Sequence, residues 1–120
     1  MKNKTGGRKV TFIKKEYDRE RIRFARDYLI RHMENPPSLA ELSRLAGINE
    51  FKLKNGFKEL IGLPVFAWLA DYRLETARNE LMKNCKTVTE IAFELGYSSP
   101  QHFSTAFKRK FGVPPGKISG

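Results

Sequence analysis

The chain has 120 residues, with 23 Lys plus Arg against 13 Asp plus Glu and a formal charge of +10, enough for one compact domain or two very small ones but too little apolar material for a large enzyme core. Such an excess of positive charge points to an extended polyanion, nucleic acid first, or to an acidic membrane surface. A single cysteine, Cys85, excludes an intramolecular disulfide, no apolar run approaches the roughly 18 residues of a spanning helix, and "MKNKTGGRKV" lacks the apolar stretch of a signal peptide, so a soluble cytoplasmic protein is expected.

Residues 1–17, rich in Lys and Gly, read as a linker or arm, with "KVTFIKK" inside it as a short strand. The pair Gly6 and Gly7 lacks the phosphate-loop pattern, and no nucleotide site is expected there. Residues 18–62 read as a first helix-turn-helix subdomain. It opens with "YDRERIRFARDYLIRHMENPP", which sets Ile22, Ala25, Leu29 and Met33 at helical spacing before Pro36 and Pro37 stop the helix. Ser38 then caps a helix holding Leu39, Leu42 and Leu45, Gly47 supplies a left-handed turn, and Asn49 caps a second helix that ends at Gly62.

Residues 63–84 read as a connector helix. Phe66, Leu69, Ala70, Leu74, Ala77 and Leu81 are expected on one buried stripe along roughly 30 Å of rod. That length is close to the ~34 Å pitch of DNA and would suit two reading helices in successive major grooves. Residues 85–120 read as a second helix-turn-helix subdomain, with Thr87 as cap, Gly96 as turn, and Ser99 followed by Pro100 as a strong helix start. The expected fold is all-α, about seven helices in two helix-turn-helix subdomains.

The two subdomains are copies of one design. Glu41 pairs with Glu90, Leu42 with Ile91 and Gly47 with Gly96 at a spacing of 49 residues, and Leu53 with Phe103, Phe57 with Phe107, Gly62 with Gly112 and Pro64 with Pro114 at 50. At 100° per residue, Phe103, Ala106 and Phe107 form an inward stripe, while Gln101, Ser104, Thr105 and Lys108 face out. In the first copy Leu53, Gly56 and Phe57 face in, and Phe51, Lys54, Asn55 and Lys58 face out. Gln and Asn amides suit adenine, hydroxyls serve either hydrogen-bonding role, Lys meets guanine or phosphate, and an outward Phe51 can meet a thymine methyl. A plainer reading makes many of the cations a solvated face and folds Phe51 back on its own helix. No nucleophile, base and orienter assemble, neither His32 nor His102 has metal-site companions, and no catalytic residue, metal or cofactor is expected.

The run "EIAFELGYSSPQHFSTAFKRKFGVPP", with "RLETAR" before it, resembles the AraC/XylS family of bacterial transcription regulators over about Arg21 to Ser119. The resemblance implies two helix-turn-helix subdomains that bind double-stranded DNA as a sequence-specific regulator. Carried over by position, base contacts fall to Phe51, Lys54, Asn55, Gln101, His102, Ser104 and Thr105, and phosphate contacts to Lys58, Lys108 and Arg109. RNA polymerase is an implied partner if the protein activates, and an effector is expected on an N-terminal domain that this chain lacks. The chain is therefore read as the C-terminal part of a longer regulator, the alternative being a single-domain member. "INEFKLKNGFKEL" further resembles the branch that regulates siderophore uptake. Gly56 departs from the larger apolar residue usual there and implies close helix contact, while Asn55 and Thr105 stand where Arg is common. Two other classes, a single-strand or RNA binder and a protein-interaction module, call for exposed aromatic platforms or a sizeable apolar patch, and the second reading face is nearly all polar.

Overall fold

A computed structural model describes residues 12, 13 and 15–118. The described residues form six α-helices, α1 (Glu16–Arg31), α2 (Leu39–Ala46), α3 (Glu50–Ile61), α4 (Val65–Lys83), α5 (Val88–Glu94) and α6 (Pro100–Phe111), followed by a 3-10 turn at Pro115–Lys117. No strand occurs among them. Of the run read as a strand, only Phe12, Ile13 and Lys15 are described. The Phe12 N–H donates to the Glu59 carboxylate at 2.7 Å and Ile13 is buried, while the rest of that run lies outside the described residues.

Local chemistry sets the four motif helices. Ser38, Asn49 and Ser99 accept N–H bonds from Glu41, Lys52 and His102 at 3.1, 2.7 and 3.2 Å. Thr87 and Glu90 exchange reciprocal bonds at 2.8 and 3.0 Å, a complete capping box. Each such cap is worth about 1 kcal/mol.

The chain divides into two compact units, Met1–Asp27 with Ser38–Val65, and Tyr28–Pro37 with Phe66–Gly120. In the first, Ile13, Ile22, Ala25, Leu42, Ala46, Leu53, Phe57 and Val65 are buried. Gly56 lets α3 press against α1: a Cβ placed there would stand 3.3 Å from Ile22 Cδ1 and 3.9 Å from Ile13 Cγ1. The buried Asp18 carboxylate of α1 pairs with Lys52 of α3 at 3.3 Å.

The second unit closes around Leu74, Ala77, Leu81, Ile91, Ala92, Leu95, Phe103 and Phe107, with Met33, Tyr97, Ala106 and Phe111 packed at its margin. Phe107 lies between Phe103 and Phe111, with ring centroids at 5.7 and 4.6 Å. Gly96 turns the chain at φ 93°, and a Cβ there would fall 2.6 Å from the Glu34 carbonyl oxygen and 3.0 Å from Glu34 Cα. Arg73 donates to the Met33 carbonyl and lies over the Tyr97 ring at 5.8 Å. Burial holds the Arg73 guanidinium below its ordinary pKa and pushes the Tyr97 phenol above its own.

Three expectations change. α1 ends at Arg31, well before Pro36, and Met33 packs from the turn that follows. Leu45, expected on the apolar side of α2, is 37% exposed. The connector stripe is not single: Leu69, Leu74, Ala77 and Leu81 are buried, whereas Phe66 and Ala70 are exposed. Val65 and Leu69 fall roughly 130° around the α4 axis from Leu74, Ala77 and Leu81, so the helix buries one side early and another later.

Candidate nucleic-acid interface

The two candidate faces follow from the two capped helices. On α3, Leu53, Gly56 and Phe57 are buried, while Phe51, Lys54 and Lys58 are exposed. Phe51 keeps 66% of its surface in solvent and meets Phe12 edge to face at a centroid distance of 5.6 Å. It therefore does not fold back on α3 alone; a residue from before α1 covers one edge. Asn55 is half-buried, and its Nδ2 donates to the Phe51 carbonyl at 2.8 Å. One amide proton is thus spent within the helix, leaving Oδ1 and the second proton for an external partner.

On α6, Phe103 and Phe107 are buried, Gln101, His102, Thr105, Lys108 and Arg109 are exposed, and Ser104 is half-buried. Gln101, Ser104 and Thr105 line a shallow surface depression with Pro100. His102 is differently placed: its Nδ1 pairs with the Ser98 hydroxyl at 2.9 Å, which fixes the ring at the start of the helix. The first-copy set lies in one unit and the second-copy set in the other.

Ion pairing separates the cations. Lys52 is paired with Asp18, Lys83 and Lys86 with Glu80, and Lys86 also with Glu94. Lys110, in the last turn of α6, is held by Asp71 and Glu75 of α4, and the Asp71 hydrogen bond raises its pKa. Among the described residues, by contrast, Lys54, Lys58, Lys108 and Arg109 enter no ion pair. Lys108 and Arg109 also sit where a helix C-terminus favours positive charge, which accounts for part of their presence without any ligand. The remaining chemistry, four cations that enter no ion pair among the described residues beside amide and hydroxyl groups on helix faces, suits phosphates and base edges.

No helix among the described residues is long and apolar enough to cross a membrane, and none of them group as a metal site.

The helix-turn-helix domain family matches residues 42–119. Among curated relatives, the HTH-type transcriptional regulator GlxA of Rhizobium meliloti (strain 1021) is 37% identical over 86 residues, which is 72% of this chain and 26% of that protein. The regulatory protein PchR of Pseudomonas aeruginosa is 44% identical over 62 residues, 52% of this chain and 21% of that protein. The chain spans about a quarter to a third of the length of the first relatives it matches, at 26%, 29% and 32%. Among solved structures, the C-terminal domain of AraT, a response regulator from Geobacillus stearothermophilus, superposes with a TM-score of 0.74 at 28% identity, covering 82% of this chain and 83% of that one. The DNA-binding domain of AdpA, solved in complex with a target DNA, shares the fold at a TM-score of 0.73 and 21% identity, covering 82% of this chain and 88% of that one.

Proposed function

Because the chain belongs to the AraC family of helix-turn-helix transcription regulators, we propose that it binds double-stranded DNA in a sequence-specific way, with α3 and α6 each entering a major groove. The observation that carries this reading is the pair of helices on which apolar residues are buried on one side while polar and cationic side chains are exposed or half-buried on the other. Gln101, Ser104 and Thr105 read bases from α6, and Phe51, Lys54 and Asn55 from α3. His102, tied to Ser98, contributes at the edge of the α6 site. Lys58, Lys108 and Arg109 hold phosphates, which fix register without reading sequence. The two copies carry different side chains, so one chain reads two unlike half-sites rather than a palindrome. In an intact regulator, effector binding and contact with RNA polymerase would act through this DNA-bound form.

Selection of bound sequences from a random duplex pool tests the proposal, and one asymmetric bipartite site is expected. Gln101→Ala or Thr105→Ala should then relax preference at one or two base pairs in one half only. About 1 to 3 kcal/mol of discrimination should be lost there while binding to random duplex hardly changes. Equal losses on selected and random duplexes would remove these side chains from the set of base readers.

A further inference from the structure

We infer that Phe12 is a positioning residue for sequence reading: it holds the Phe51 ring where α3 meets the C5 methyl of one thymine in the major groove. The inference rests on the DNA-binding reading above. Phe12 precedes α1 and belongs to no helix, yet it lies in the same compact unit as α3 and makes two contacts with that helix.

The Phe12 N–H donates to the Glu59 carboxylate at 2.7 Å. The Phe12 and Phe51 rings meet at a centroid distance of 5.6 Å and an interplanar angle of 72°, the edge-to-face arrangement that aromatic quadrupoles favour. Phe51, Asn55 and Glu59 recur every four residues and share one edge of α3, so the two contacts lie two turns apart on that edge. Ile13, next in the chain, is buried at 3% exposure, and its Cγ1 lies 3.9 Å from where a Cβ at Gly56 would stand. Phe12 is therefore fixed through its backbone by Glu59, through its neighbour by the core, and through its ring by Phe51.

An aromatic pair ordinarily hides apolar surface. This one leaves it in place: Phe51 keeps 66% of its surface in solvent with Phe12 against it, and Ile13 rather than Phe12 enters the core. What the contact does is limit where the Phe51 ring can point. A solitary exposed Phe on a helix moves between two χ1 rotamers, and freezing such a side chain on a partner weakens binding. A ring already held against Phe12 loses less. The surface it still offers is apolar, and in the major groove the apolar group that base edges present is the C5 methyl of thymine. Burying one methyl-sized group is worth roughly fourfold in affinity.

The test replaces each thymine of the selected duplex in turn by deoxyuridine, which lacks only the methyl. These duplexes and a random duplex are titrated with the wild-type chain, Phe51→Ala, Phe12→Ala, Phe12→Leu and Phe12→Tyr, with folding followed by circular dichroism. Wild type should lose about fourfold at one thymine. Phe51→Ala should bind the thymine and deoxyuridine duplexes alike. Phe12→Ala leaves Phe51 in place but should bring the ratio below about twofold, with the salt dependence and the affinity for random duplex unchanged. Phe12→Leu fills most of the same space without a ring and carries the same expectation should the alanine variant not fold. Phe12→Tyr keeps a ring and should restore the wild-type ratio.

A ratio unchanged in Phe12→Leu overturns the role of Phe12, since Phe51 then reads the methyl unaided. A wild-type chain indifferent to every exchange, or a sensitivity that survives Phe51→Ala, overturns the methyl contact while the DNA reading stands. A wild-type chain that binds no duplex overturns the DNA reading itself, and this inference with it.

Discussion

Replacing Gly96 by Ala is expected to lower the unfolding free energy by about 3 to 5 kcal/mol, a large fraction of what a domain of this size holds. Two costs add. A backbone at φ 93° is strained for any residue with a Cβ, and the new Cβ would lie 2.6 Å from the Glu34 carbonyl oxygen. That oxygen is backbone, not the mobile end of a side chain, and the neighbouring Met33 carbonyl is held by Arg73. Relief therefore means moving the turn that leads into α6, and DNA binding should fall together with stability. Gly47 supplies the comparison. It has φ 77°, but a Cβ there meets nothing nearer than the Tyr17 hydroxyl at 3.6 Å. Gly47→Ala should cost only about 1 kcal/mol, the conformational part alone. Urea unfolding followed by circular dichroism separates the two, and equal losses at both positions would sink the close-packing account.

The largest effect on binding should come from the cations assigned to phosphates, which enter no ion pair among the described residues. Exchanging Lys58, Lys108 and Arg109 together for Gln is expected to flatten the dependence of log affinity on log salt by about 2.7, at 0.9 per phosphate neutralised. At 0.1 M salt this is a loss of roughly several hundredfold on any duplex. The control exchanges Lys83, Lys86 and Lys110, whose charge is already answered by Glu80, Glu94, Asp71 and Glu75. Removing these should change the slope by less than one unit. Were the two sets to act alike in a salt titration, net charge alone would govern binding and the assignment of phosphate contacts would fail.

What was legible in the sequence was local. Ser38, Asn49, Thr87 and Ser99 announce helix starts because a side-chain oxygen and an amide three residues on suffice for a cap, and all four caps are made. The inward residues of α3 and α6 were legible because each short helix buries one face against one neighbourhood. α4 was misread for the opposite reason. Its buried side changes along its length, so one stripe cannot describe it, and Phe66 and Ala70 emerge in solvent. Partners distant in sequence were invisible as well. Nothing near Lys110 says that Asp71, 39 residues earlier, will hold it while Lys108 enters no ion pair among the described residues. Nothing near Phe12 names Glu59 or Phe51. The half-spent amide of Asn55 could have been suspected, since Asn side chains compete for backbone groups close by.

Separation of buried from exposed positions on α3 and α6 also bears on how such a protein changes over generations. Lys54, Gln101 and Thr105 are exposed and carry no share of either core, so exchanges there should leave stability within about 0.5 kcal/mol of its starting value. Recognition can then drift without first acquiring compensating changes in the interior. Tandem copies add a second freedom. In a symmetric dimer one substitution alters both half-sites at once, and the operator must change twice before binding returns. On the proposed reading a substitution on α6 would alter one half while α3 keeps its own, so a lineage could move to a new operator through singly substituted intermediates that each still hold DNA.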